Sequence, residues 1–144
     1  MYSKFQNIET PFYYYDTALL EATLKAIRDE IKPYPHFHVH YAIKANANPR
    51  LLSIIQQAGF GVDCVSGGEI QVAISAHFPT NSIVYAGVGK SDKEIIIGLR
   101  NNIFCFNVES IPELEVINQL AVKENTIANV CLRINPDVSP HTHA

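Results

Sequence analysis

Apolar positions along this chain keep two rhythms, short unbroken runs and longer stretches in which they return every three or four residues. After Asp16, residues Leu20, Leu24, Ile27 and Ile31 fall on one helical stripe, with the Asp carboxylate placed to cap it. Pro33 and Pro35 stop that helix. The run Phe37 to Ile43 reads as a strand, and Asn48-Pro49 gives a second helix its cap and first-turn proline. Leu51, Leu52, Ile54 and Ile55 form its core face, and Gly59 ends it. Three further helix starts share the pattern S-x-x-E, at Ser66 to Glu69, Ser91 to Glu94 and Ser110 to Glu113. This capping box satisfies two orphan backbone donors at a helix start. Each box follows an apolar run: Phe60 to Val65, Ile83 to Tyr85, and Ile103 to Val108. A last run, Asn129 to Ile134, ends at Asn135-Pro136, and Phe12 to Tyr15 reads as a short strand ahead of the first helix.

Strands and helices therefore alternate, with short loops and strands that are mostly continuous apolar runs. That predicts an α/β fold with a parallel sheet buried on both faces. Periodicity alone does not separate an open doubly wound sheet from part of a barrel. Composition narrows the picture: 144 residues, 47% hydrophobic and 17% charged with net charge −3, describe an ordinary globular piece with one core. No basic patch marks a nucleic-acid partner. The longest apolar runs fall far short of a membrane span, and Met1 to Lys4 leads into no apolar secretory core. Cys64, Cys105 and Cys131 form no C-x-x-C pair and each lies in an apolar run, so they read as reduced core thiols in the cytoplasm.

Candidate chemistry gathers where runs end. Lys44 closes the Phe37 to Ile43 run, at the carboxyl edge where parallel α/β folds do chemistry. Apolar strand neighbours there would disfavour its charged form and expose a nucleophilic amine, the kind that forms Schiff bases. The plain alternative is a solvated strand-end lysine. Asp63 lies 19 residues further on, at the end of the next run, where the same edge would turn both side chains toward one pocket. Its plain alternative is a surface carboxylate or helix cap. Glu69 is explained by its capping box with Ser66. Gly87-Val88-Gly89-Lys90-Ser91 fails the phosphate-loop pattern, because Val84 stands where the first glycine belongs. His36, His38 and His40 alternate along one strand face, but no carboxylate or Cys of ligand spacing joins them, so no metal is assigned.

The wording around Lys44 goes further. Tyr41-Ala42-Ile43-Lys44-Ala45-Asn46 resembles the cofactor-lysine motif of the alanine-racemase-like, fold-type III pyridoxal-phosphate enzymes. Thr10 to Asp16, Gly61 to Glu69, Asn107 to Ser110, and Leu132 to Val138 leading into Thr142-His143 are similar to further segments of that family, in the same order. The last is most similar to the diaminopimelate decarboxylases. The resemblance implies a (β/α)8 barrel, with residues 36–144 supplying about five of its eight strands. Residues 1–35 would be an amino-terminal strand and helix, the strand belonging to a separate C-terminal β-domain. A barrel of this kind takes about 250 residues, so the chain is expected to be an amino-terminal portion, inactive alone. It further implies pyridoxal 5'-phosphate on Lys44, decarboxylation of meso-2,6-diaminopimelate to L-lysine, and a homodimer when complete. Asp63 would sit beside the cofactor lysine. Arg133 would lie near the cofactor ring, with a structural ion pair as its alternative. Other readings are a decarboxylase for another basic amino acid or for carboxynorspermidine, and a non-catalytic cofactor-binding barrel. Where the family more usually has Asn, this chain has Val88, which leaves Lys90 without an implied role. His141 and His143 receive none either.

Overall fold

The computed structural model describes residues 5–138. In chain order the elements are α1 (Thr17–Ile31), β1 (His40–Ala42), α2 (Pro49–Gln57), β2 (Gly61–Cys64) and α3 (Gly67–Ser75). They continue with β3 (Ile83–Tyr85), α4 (Asp92–Arg100), β4 (Cys105–Val108), α5 (Ile111–Lys123) and β5 (Val130–Leu132). The helix starts fall where their caps predict. Asp16 accepts the Leu19 N–H at 3.1 Å, and Asn48 accepts the Arg50 N–H at 3.0 Å. Gly59, with φ +83°, takes the left-handed turn that ends α2, a conformation glycine adopts without Cβ strain.

All five strands pair in parallel, in the order β1-β2-β3-β4-β5. This order settles what periodicity left open. Right-handed crossovers that always step the same way put every helix on one side of the sheet, whereas a doubly wound sheet reverses direction at a switch point. The sheet is thus a length of barrel wall. Its helix side carries the row Cys64, Tyr85 and Phe106, joined by register and buried. Phe106 lies so close beneath α4 that a Cβ on Gly98 would stand 2.7 Å from its ring. The other side carries Asp63, Val84 and Cys105 in one row. Helices cover one face; on the other Val84 is buried and Asp63, Cys105 and Asn107 are half-buried, so the expected burial on both faces is only partial among the described residues.

Four predicted strands are shorter than their apolar runs, and a fifth does not form. Phe37 to Val39 precede the ladder, leaving His40 as the one member of the histidine triplet in β1, where its ring stacks on Phe104 at 6.2 Å. Phe12 to Tyr15 forms no strand, because no described strand pairs with it, and Tyr13 is 90% exposed. Thr142, His141 and His143 lie outside the described residues. No described helix is long and apolar enough to cross a membrane.

Candidate active site

The carboxyl ends of the strands meet the helix starts along one rim, and Lys44 stands on it. It lies in a 3-10 turn, Ile43–Ala45, two residues beyond the last ladder pair of β1, Ala42 with Asp63. Ile43 anchors the turn by complete burial. Around it the Tyr41 hydroxyl donates to the Asn46 carbonyl at 3.1 Å, and the Asn46 amide donates to the Tyr15 hydroxyl at 2.9 Å. Burial pushes the Tyr41 phenol above its ordinary value. The turn is fixed while the lysine it carries is exposed. The expectation of an apolar strand environment for Lys44 is not met among the described residues: β2 touches the turn, but the lysine itself is exposed.

Asp63 is on β2 in register with Ala42, one residue before the strand's end, and faces the helix-free side. Its Oδ1 is buried with no hydrogen-bond partner among the described residues. A buried carboxylate oxygen normally has a partner, and leaving one without costs free energy. This disfavours the surface-carboxylate and helix-cap readings; the cap of α3 is Ser66, whose hydroxyl accepts the Glu69 N–H at 3.2 Å. Cys64, next in the strand, points into the helix layer, and desolvation pushes its thiol up to about 12.

The capping glutamates do more than close their own helices. Glu69 accepts the Val65 N–H at 2.7 Å, and Glu113 accepts the Glu109 N–H at 2.8 Å, each reaching one residue ahead of its serine. Glu94 takes the Ser91 N–H and hydroxyl on one oxygen and, on the other, the Gly67 N–H at 2.9 Å. It thereby ties the start of α3 to the start of α4. The Ser91 hydroxyl is the largest cause holding the Glu94 carboxyl below its usual value, followed by the Gly67 N–H.

Arg133 lies one residue past β5 and donates to Glu109 Oε1 at 3.0 Å. Of the two readings of Arg133, the ion pair is present, although the arginine is 68% exposed. Lys90 is the residue that sequence reasoning missed. Its side chain is 1% exposed, and its ammonium donates to Gly87 O and Asn107 O at 2.7 Å and to Glu113 Oε1 at 2.6 Å. Two of its acceptors are backbone carbonyls, which no side-chain pattern reveals. The third, Glu113, was visible as a capping-box glutamate.

Residues 18–144 match the family model described as "Pyridoxal-dependent decarboxylase, pyridoxal binding domain". A diaminopimelate decarboxylase of Bacteroides thetaiotaomicron is 64% identical over 98% of this chain and 36% of its own length. The crystal structure of diaminopimelate decarboxylase from Methanocaldococcus jannaschii superposes with TM-score 0.90 at 37% identity, over 98% of this chain and 34% of that one. The Helicobacter pylori enzyme complexed with L-lysine superposes with TM-score 0.86 at 39% identity, over 98% and 36%. The chain spans about a third of the length of these relatives. With its fold, its rim and these likenesses in agreement, the chain belongs to the pyridoxal-dependent decarboxylases, whose pyridoxal-binding domain its residues 18–144 match.

Proposed function

We propose that this chain carries the cofactor lysine, Lys44, of a decarboxylase that converts meso-2,6-diaminopimelate to L-lysine with pyridoxal 5'-phosphate. The observation that carries the reading is the orphaned Oδ1 of Asp63, on the strand registered beside the one that leads into Lys44. A buried acceptor without a donor suits a neighbouring nitrogen cation or N–H, which a cofactor held on a lysine amine would provide. The residues present fit the group. Lys44 Nζ would bind its aldehyde carbon, Asp63 would hold a proton on that nitrogen, and Arg133, steadied by Glu109, would offer its remaining donors to the cofactor's edge. When bound, pyridoxal phosphate supplies an electron sink for the pair left at the α-carbon as carbon dioxide departs. The fixed backbone of the Lys44 turn sets where the amine stands, so orientation costs little at the moment of reaction.

The chain's likeness to diaminopimelate decarboxylases supports the substrate, and the lysine-bound Helicobacter pylori structure supports a small amino-acid ligand. The proposal extends to a homodimer, as the family resemblance implies, acting in the cytoplasm, where three unpaired cysteines stay reduced. The test supplies the intact protein with pyridoxal phosphate and meso-diaminopimelate and measures carbon dioxide and L-lysine. Release of both in equal amounts is expected. Carbon dioxide released from a different amino acid, and none from diaminopimelate, overturns the substrate.

A further inference from the structure

Lys90 presents an ammonium with three N–H donors and, within hydrogen-bond distance, three acceptors: Gly87 O, Asn107 O and Glu113 Oε1. Every donor is used, and the side chain is 1% exposed. A lysine so completely committed is spent on holding its three partners together. What it joins is more telling than what it could do. Gly87 and Lys90 bracket Val88 on the loop after β3, Asn107 belongs to β4, and Glu113 opens α5. The other oxygen of Glu113 accepts the Glu109 N–H at 2.8 Å, and Glu109 in turn accepts from Arg133 at 3.0 Å. Val88, Glu109, Arg133, Ile134, Asn135 and Pro136 line one cleft of about 540 Å³ on the rim. One side of that cleft is the Val88 loop and the other is the paired Glu109 and Arg133.

We propose that Lys90 is a positioning residue that fixes the two sides of this cleft relative to each other, through Gly87 on one and through Glu113 and Glu109 on the other. The cleft opens on the same rim as Lys44, so its use in holding cofactor rests on the function proposed above. The mechanical link does not. Two readouts separate them: hydrogen exchange at the Glu109 amide, taken without cofactor, and affinity for pyridoxal phosphate, followed by the absorbance of the bound cofactor.

In the intact protein, Lys90→Met keeps the length of the side chain and removes all three donors. The expected result is Glu109 exchange faster by about tenfold and cofactor affinity weaker by about tenfold. Lys93→Met, an exposed neighbour on α4, leaves both unchanged. Leu99→Ala, which destabilises α4 from its buried side, also leaves both unchanged under conditions where it is folded. Wild-type Glu109 exchange in Lys90→Met overturns the proposal, as do equal effects in Leu99→Ala, which would reduce Lys90 to a contributor to stability. If Lys90→Met does not fold, Glu113→Gln is judged by the same two criteria. If wild-type protein binds no pyridoxal phosphate, the cofactor reading fails and the exchange result alone decides the role of Lys90.

Discussion

At Asp63, stability and function pull in opposite directions. Its Oδ1 is buried without a partner among the described residues, a cost the cofactor-free fold bears and a bound cofactor would relieve. Asp63→Ala removes that cost, so thermal denaturation of cofactor-free protein should show an unchanged or raised midpoint. Affinity for pyridoxal phosphate should fall by about tenfold. A lowered midpoint with unaltered affinity would return Asp63 to a structural role. Such trade-offs are common where a site needs an unsatisfied group. At this scale the sequence was uneven. The placement of Lys44 and Asp63 on one rim was legible because their spacing brings consecutive strand ends together. Lys90 was not, since a lysine reads as solvated by default and carbonyl acceptors leave no mark in a sequence.

The elements were read more accurately at their helix starts than at their strand ends, for a physical reason. A cap is a local hydrogen bond, so Ser66, Ser91 and Ser110 announced α3, α4 and α5 directly. A strand ends where its partner ends, which is why the apolar run from Phe37 yields only His40–Ala42. Two tests belong here. Gly98→Ala drives a Cβ to 2.7 Å from the Phe106 ring, a rigid group beneath α4. It should destabilise by about 1–3 kcal/mol, read from denaturant midpoints. The second concerns acid. The Glu94 carboxyl is lowered from 4.5 by Ser91 and Gly67, so the stability it contributes is present above 4.5 and is lost as pH falls through its lower folded value. Glu94→Gln should therefore lower stability at neutral pH and flatten the acid limb of the stability profile. An acid limb of unchanged slope would show that the tie between α3 and α4 carries no charge-dependent stability.

At the scale of the whole sheet, the consequence of sequential strand order is a wall whose two edges, β1 and β5, are unpaired among the described residues. Val130 and Leu132 on β5 are exposed, with Ile134 just beyond it, an edge of the kind that recruits another strand. The isolated 144-residue chain should therefore self-associate, and sedimentation velocity should show species heavier than 16.0 kDa. A monodisperse monomer would mean that the edges are protected in a way the described residues do not provide. The barrel itself was legible only through resemblance, because runs of apolar strand residues look alike in an open sheet and a closed one; the strand order removed the ambiguity. The central claim is that Lys44 holds the cofactor, and borohydride reduction of the intact protein with pyridoxal phosphate, followed by peptide mapping, tests it most directly. The reduced pyridoxyl label is expected on the peptide containing Lys44 and is expected to be lost in Lys44→Ala. Label on Lys90, Lys93 or any other lysine, with Lys44 unmodified, would contradict it.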